Sequence, residues 1–330
     1  MLAAATTAVP LPRLPAALPR SGLSDSARLA LKQMLGDVDR RLAGAFRDGA
    51  PVADLVAARA EAMRRLIVHV WTAIVGEPAA LALFAVGGFG RGELFPHSDV
   101  DLLVLADASP AGSVARSLES LFACLWDLGL KLGHAVRTLD DCRALAARDA
   151  SVYTSLLDAR RIAGSAAFDA GFDALLADPS LWPPERYLAS KREEQDQRHA
   201  RFHDTAYNLE PNLKDGPGGL RSGQLVVWLG RLLWRASTPS ALVEHGLLER
   251  GLFLGAPAAA LGLDAVALDG GKHARGLLTA HHADARVGPH PEKAWRVGAA
   301  AHAVVARAVA AADDDGELGH LGRGHGRDHL

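Results

Sequence analysis

The chain has little of what marks several broad classes of protein. Two cysteines among 330 residues, Cys124 and Cys142, are too few for a disulfide framework or a cysteine-rich zinc site. No uninterrupted apolar run approaches the ~18 residues that a membrane span needs, so no membrane partner is predicted. The formal net charge of -2 excludes a broadly basic nucleic-acid-binding protein and an acidic disordered chain.

The N-terminus lacks the pattern of a secretion signal. Residues 1–22 are rich in Ala, Leu and Pro, and no basic start is followed by an apolar stretch. We therefore predict a disordered leader and not a signal peptide. The whole chain is 49% apolar and 22% charged, which is typical of a soluble globular protein with a hydrophobic core. Together these features predict a cytoplasmic protein.

Helical periodicity in the first part of the chain gives way to short apolar runs that are typical of buried strands. Ser24 or Ser26 is the expected N-cap of the first helix. The predicted elements are helices at 23–48, 51–75 and 113–128 and strands at 81–86, 100–105 and 130–138. Strand, turn, strand, helix and strand within about 60 residues predict an α+β fold with a small mixed β-sheet covered by helices.

The second half of the chain, from 139 to 250, is predicted to be mostly helical. A charged helix at 185–206 and an apolar one at 222–236 flank a Gly/Pro-rich loop at 207–221. Residues 251–330 are rich in Ala, Gly and His and have poor apolar periodicity, so we expect a disordered or frame-shifted tail. The predicted domains are a leader at 1–22, a core with N-terminal helices at 23–150, a helical domain at 151–250 and the tail at 251–330.

The most informative stretch joins a glycine pair to a pair of acids. The first predicted strand ends in Gly87-Gly88, where the missing Cβ atoms let a polyphosphate approach the backbone N–H groups. Ten residues later, Ser98, Asp99 and Asp101 open the next strand. Residues i and i+2 of a strand share a face, so Asp99 and Asp101 project together. Two neighbouring carboxylates favour a cation between them, and Mg²⁺ accepts carboxylate and phosphate oxygens in one shell.

Each half of this pattern alone has an ordinary explanation. An Asp-x-Asp sequence at the start of a strand is commonly a solvated edge, and a glycine-rich turn is commonly only a turn. No Gly-Lys-Ser/Thr follows, which excludes a P-loop, and the spacing of Gly88, Gly90 and Gly92 is not that of a dinucleotide-binding fingerprint. The combination of two apolar strands, the glycine pair and the acids is far more specific than either half.

This combination resembles the DNA polymerase β-type nucleotidyltransferase superfamily. Within it, the chain is similar to the bacterial PII uridylyltransferase/uridylyl-removing enzymes in four collinear segments spanning roughly residues 25–250. These segments are GGFGRGELFPHSDVDLLVL, LWDLGLKLGHAVRTLDDC, TSLLDARRIAG and DTAYNLEPNLKDGPGGLR. The resemblance implies transfer of UMP from UTP to a tyrosine of the trimeric PII signalling protein, with release of pyrophosphate. It implies that Gly87 and Gly88 hold the triphosphate and that Asp99 and Asp101 hold Mg²⁺.

Further substrate contacts follow less directly from the sequence. Arg91 has two alternatives, a contact with phosphate or an ion pair with Glu93. Lys214 and Arg221 flank a glycine-rich loop, and such a basic pair suits a triphosphate or the leaving pyrophosphate, although solvated bases on a connecting turn are the alternative. The family usually has Asp after this arginine, whereas Ser222-Gly223 stands here.

The general base is left open by the sequence. Many such transferases use a third carboxylate on a neighbouring strand, but the strand at 130–138 offers His134 and Arg137 and no acid. His134 is one candidate base, with a packed strand histidine as the alternative, and Asp158 is a more distant candidate.

The resemblance does not extend to the phosphohydrolase and glutamine-sensing domains of the family. His203-Asp204 is expected to be a surface pair, and the histidines at 273, 281, 282 and 290 have no ligand partners at plausible spacing. We therefore expect the chain to transfer UMP and not to remove it. Two alternatives remain: a transferase that moves AMP or another nucleotide onto a different protein, and an inactive PII-binding remnant.

Overall fold

The structure is a computed structural model, and it describes residues 24–203, 212, 214–217 and 219–234. In the described part, two long helices come first, and strands that alternate with helices follow. The helices are α1 (Asp25–Arg47), α2 (Val52–Ile74), α3 (Gly87–Gly90), α4 (Gly112–Asp127), α5 (Leu139–Ala146), α6 (Ala150–Leu157), α7 (Ala167–Ala177), α8 (Pro184–Ala200) and α9 (Leu220–Trp234). The strands are β1 (Leu81–Ala85), β2 (Val100–Ala106), β3 (Leu132–Arg137) and β4 (Arg160–Gly164).

Local sequence signals explain how the first helix begins and which side it buries. The Ser24 hydroxyl accepts a hydrogen bond from the N–H of Ala27 at 3.2 Å, so Ser24 is the N-cap that the sequence predicted. Leu31, Met34 and Val38 follow at helical spacing and are buried. This apolar stripe holds α1 against the rest of the core.

The four strands form one mixed sheet in the order β3-β2-β1-β4. Strand β1 lies at its centre and is antiparallel to both β2 and β4, whereas β2 runs parallel to β3. The central strand is buried at all five positions, which its uninterrupted apolar sequence predicted. The start of β2, where the two acids lie, is therefore next to the end of β1, where the glycine pair begins.

Helices cover both faces of the sheet. On one face, Leu83 and Val104 belong to a buried cluster that includes Leu66 of α2 and Leu121 of α4. On the other face, the ring of Phe84 lies 4.9 Å from that of Phe172 in α7. The α+β class and the small mixed sheet are confirmed.

The structure also contains a strand that the sequence did not predict. Strand β4 lies in the stretch that was expected to be mostly helical, and it pairs with β1 across an irregularity at Leu83 and Phe84. Its sequence, Arg-Arg-Ile-Ala-Gly, lacks an apolar run, so only pairing with β1 makes it a strand. The predicted domain boundary at residue 150 falls before this strand.

The described residues belong to two compact units. The first contains residues 24–182 with the sheet, and the second begins at Pro183 and contains α8 and α9. No helix in the described segments is both long enough and apolar enough for a membrane span. The predicted leader at 1–22 and the predicted tail at 251–330 lie outside the described residues.

Candidate active site at the start of strand β2

Of the two acids, Asp101 is the second residue of β2, and Asp99 directly precedes the strand. Val100 and Leu102 are buried in the core on one face of β2, whereas Asp101 is only partly buried and Asp99 is exposed. The backbone oxygen of Asp101 accepts a hydrogen bond from the N–H of Val86 at 3.0 Å. This bond ties the acid to the last residue before the glycine pair.

The carboxylate of Asp101 lies between two glycines. A Cβ atom at Gly87 would come within 3.3 Å of Oδ2, and a Cβ atom at Gly133 would overlap with Oδ1. Gly133 is the register partner of Asp101 on the parallel strand β3. The sequence analysis did not single out Gly133, although a glycine inside a predicted strand is a known sign of a close approach.

The electrostatics of Asp101 favour a cation. Partial burial raises the pKa of Asp101, and the negative charge of Asp99 raises it further. Among the described residues, none donates a hydrogen bond or forms an ion pair with this carboxylate. A half-buried carboxylate without a cationic partner, next to a second carboxylate, is suited to a divalent ion.

The protein provides only part of a metal coordination shell here. In the described segments no group of three or more His, Cys, Asp or Glu side chains could hold a metal ion. Asp99 and Asp101 therefore fit an ion that takes its other ligands from water and from phosphate oxygens. Mg²⁺ commonly binds in this way, through one or two carboxylates and a substrate.

The glycine pair begins a single helical turn, α3, where the sequence predicted a tight turn. Gly87 has φ of 59°, in the left-handed region that favours glycine. A Cβ atom at Gly88 would lie 3.0 Å from the backbone oxygen of Glu93, and one at Gly90 would lie 2.7 Å from that of Ala85. The turn therefore packs backbone against backbone.

Arg91 directly follows this turn and forms a buried ion-pair network. Its Nε donates to Glu93 at 3.0 Å, and its Nη1 donates to Asp158. Burial acts to lower the pKa of Arg91, but the charges of Asp158 and Glu93 and the hydrogen bonds to both raise it on balance. Of the two alternatives for Arg91, the structure contains the pair with Glu93. Its Nη2 lies on the side of Gly88.

The two candidates for the general base have different surroundings: His134 is on the other face of the sheet from Asp101, and Asp158 is in a buried ion pair. His134 pairs in register with Leu102, so its side chain is on the opposite face of the sheet from Asp101. Its ring centre lies 4.0 Å from that of Phe122 and 5.2 Å from that of Trp126. His134 is exposed, and its contacts with these two rings are those of the packed strand histidine that was the sequence-based alternative to a base.

Asp158, the more distant candidate for the base, lies in a buried ion pair. Its side chain is 2% exposed and pairs with Arg91, so this acid holds the loop before β4 against the turn. Ser98 lies in an exposed turn, and its N–H donates to the Phe95 oxygen at 3.1 Å. This turn leads directly into Asp99.

Lys214 and Arg221 belong to the second unit, where the structure brings them together. The N–H of Arg221 donates to the backbone oxygen of Lys214 at 3.0 Å, and the Asn212 side chain accepts from the N–H groups of Lys214 and Asp215. The Arg221 guanidinium lies 5.9 Å from the Trp228 ring. Lys214 is exposed.

Other residues singled out in the sequence lie near the limits of the described segments. Ser222, at the position where the family resemblance predicts Asp, is buried, and its hydroxyl has no hydrogen-bond partner among the described residues. His203 is exposed, while Asp204 and the histidines at 273, 281, 282 and 290 lie outside the described residues.

Two family models match segments of this chain. Residues 36–135 match the family model described as putative nucleotidyltransferase DUF294, and residues 186–253 match the model described as GlnD PII-uridylyltransferase. The first match contains the glycine pair, both acids and strands β1 and β2. The second contains α8, α9 and the loop with Lys214 and Arg221.

Curated relatives are named bifunctional uridylyltransferase/uridylyl-removing enzyme. One from Xanthomonas axonopodis pv. citri (strain 306) is 43% identical over 234 residues, which are 70% of this chain and 27% of the relative. Another from Methylococcus capsulatus (strain ATCC 33009 / NCIMB 11132 / Bath) is 43% identical over 208 residues, which are 63% of this chain and 24% of the relative. The chain thus spans about a quarter of the length of these relatives.

Proposed function

Because this chain is a relative of the bifunctional uridylyltransferase/uridylyl-removing enzymes, matching their N-terminal part over 70% of its own length, we propose that it transfers UMP. The donor is UTP, the acceptor is a tyrosine hydroxyl of a PII signalling protein, and pyrophosphate is released. Because UTP is available in the cytoplasm, we place the reaction there.

The single observation that carries this proposal is the environment of the Asp101 carboxylate. It lies between two glycines, next to Asp99, and forms no ion pair with a described residue. A purely structural acid in such a place is normally paired or hydrogen-bonded, because leaving it without a partner is unfavourable. A bound metal ion would supply the partner that this carboxylate lacks among the described residues.

Asp99 and Asp101 are the residues that would hold Mg²⁺. When bound, the ion would supply positive charge that offsets the charge developing on the α-phosphate and on the leaving pyrophosphate. Asp99 directly precedes β2 and Asp101 is its second residue, with Val100 between them paired in register with Leu132 of β3. Their contribution is to set the position of that charge relative to the glycine turn.

The glycine turn would hold the triphosphate. Gly87 and Gly88 begin this turn at the end of β1, and Ser98 is exposed just before Asp99. Arg91 supports this turn through Glu93 and Asp158, while its Nη2, on the side of Gly88, provides a positive charge for phosphate. These roles are consistent with the packing of α3.

Lys214 and Arg221 are proposed as further ligands of the triphosphate or the pyrophosphate. The hydrogen bond between their backbones keeps the two bases next to each other. Arg221 also contacts Gln224 at 3.2 Å and lies 3.9 Å from Asp215. A guanidinium and an ammonium group on one short loop suit the several charges of a polyphosphate.

A transfer assay with four labelled nucleotides tests the proposed function. The purified chain, Mg²⁺ and PII would be incubated with each nucleoside triphosphate labelled at the α-phosphate. We expect label on PII from UTP, and none on a PII variant in which the acceptor tyrosine is replaced by phenylalanine. Transfer from ATP to another protein would favour the alternative transferase, and binding of PII without any transfer would favour the inactive remnant.

A further inference from the structure

Gly133 lies directly beside the proposed metal ligand, on the neighbouring strand. In the parallel pair of β2 and β3 it is the register partner of Asp101, so both residues present the same face of the sheet. Of the atoms that a Cβ at Gly133 would meet, the three nearest all belong to Asp101: Oδ1, which it would overlap, Cγ at 3.4 Å and Cα at 3.9 Å.

The backbone at Gly133 does not itself require glycine. Gly133 does not have a positive φ, and it lies within a regular strand between Leu132 and His134. An L-amino acid with a side chain would therefore fit the backbone conformation. The obstacle to a side chain is the carboxylate of Asp101.

We infer that Gly133 is a positioning residue whose missing Cβ lets the Asp101 carboxylate take the orientation in which, together with Asp99, it binds a divalent cation. Gly87 lies on the other side of the same carboxylate, where a Cβ atom would come within 3.3 Å of Oδ2. Because a carboxylate is the end of a short rotatable side chain, an added methyl group would turn it away and leave the strand in place. The inference deepens the proposed function and rests on its metal site.

The test compares two glycine-to-alanine variants of the full chain. Gly133→Ala adds a methyl group against Asp101, whereas Gly44→Ala adds one in helix α1, where nothing lies within 4 Å. Binding of Mn²⁺, with and without UTP, would be followed by the loss of the free-ion signal in electron paramagnetic resonance. Circular dichroism and thermal unfolding would report the fold of each variant.

We expect Gly133→Ala to lose about 10–100-fold in Mn²⁺ affinity, as is typical when a residue that orients a metal ligand is changed. In UMP transfer to PII, kcat should fall while KM for PII stays unchanged. Gly44→Ala should match the wild type in every respect except a small change in stability. Wild-type Mn²⁺ affinity and kcat in Gly133→Ala would overturn the inference, as would a wild-type chain that binds no Mn²⁺ in either condition.

A double-mutant cycle covers the case in which Gly133→Ala destabilises the fold. The same substitution would be made in an Asp101→Ala chain, where the carboxylate is absent. We expect Gly133→Ala to lower the unfolding temperature less in that background than in the wild type. An equal loss in both backgrounds would mean that the backbone, and not the carboxylate, requires glycine.

The two measurements separate this inference from the proposed function. Mn²⁺ binding needs neither PII nor turnover, so weakened binding in Gly133→Ala would support the positioning role even if no UMP were transferred. Conversely, UMP transfer at the same rate by the wild type and Gly133→Ala would support the proposed function and refute the role of Gly133.

Discussion

At the scale of single residues, the proposed metal site centres on Asp101, whose charged form is electrostatically unfavourable. Its pKa is raised by partial burial and by Asp99, which means that the folded protein disfavours the ionised form. A cation that binds both carboxylates would remove this unfavourable repulsion. The residue that we propose as a metal ligand is therefore expected to weaken the fold when no cation is bound.

The Asp101→Asn variant should be more stable than the wild type in EDTA at pH 7. Because the folded pKa is raised, the wild type has its full stability below the unfolded pKa and loses part of it as the pH rises through the folded pKa. The advantage of the variant should therefore be largest near neutrality and shrink on acidification. Thermal unfolding from pH 4 to 7.5 would measure it, with Asp107→Asn, at an exposed acid just after β2, as the control. An equal or lower unfolding temperature in Asp101→Asn at pH 7 would contradict this account.

The Arg91→Ala variant should lose about 3–5 kcal/mol of unfolding free energy, because it removes one member of a buried ion pair. The Arg91 side chain is 11% exposed and that of Asp158 is 2% exposed. Arg64→Ala is the matched control, since Arg64 and Glu61 form a pair in which each side chain is about one-third exposed. That change should cost about 0–1 kcal/mol. Urea denaturation of both variants would give the comparison, and equal losses would refute the structural role of Arg91.

Sequence alternation was sufficient to place the two acids, but not to find their surroundings. The period of a strand explains why the Val100 side chain faces the buried core and the Asp101 side chain faces the opposite side of the sheet. The pair of Arg91 with Glu93 was among the alternatives read from the sequence, but its second partner, Asp158, lies 67 positions away, and the position of His134 depends on strand register. Neither is encoded in local spacing.

At the scale of elements, tertiary contacts override local propensity at α3 and β4. Helix α3 contains three glycines in four residues, which disfavour a helix, yet Gly90 and Arg91 donate hydrogen bonds to the oxygens of Val86 and Gly87. Strand β4 begins with two arginines and is a strand because β1 offers an edge. By contrast, β1 and β2 were predictable because their apolar sequences are long enough, and β3 was predicted although its sequence is mixed.

The Gly90→Ala variant separates propensity from packing. Helix propensity predicts a gain of up to about 1 kcal/mol for alanine. The contacts predict a loss of about 1–3 kcal/mol or more, because the new Cβ would overlap with the Asp158 oxygen and lie 2.7 Å from that of Ala85, both of them backbone atoms. Gly44→Ala, in open space on α1, should show the gain. Urea denaturation would compare them, and stabilisation by Gly90→Ala would show that α3 is packed less closely.

At the scale of the whole molecule, the candidate residues are divided between two compact units. The acids, the glycine pair and Arg91 are in the first, and Lys214 and Arg221 are in the second. Each unit contains a segment that matches a family model. The family was predictable from the sequence because its motifs are collinear over most of the chain. Composition alone excluded several classes of protein, such as disulfide-rich and broadly basic ones, but did not indicate a family.

The most direct test of the central claim is the intact mass of PII after incubation with the chain, UTP and Mg²⁺. The account predicts that each PII subunit gains the mass of one uridylyl group. It also predicts that Asp101→Asn lowers the rate by about 10²-fold or more, as when a stabiliser of developing charge is removed. An unchanged PII mass with the wild-type chain, or full modification by Asp101→Asn at the wild-type rate, would contradict it.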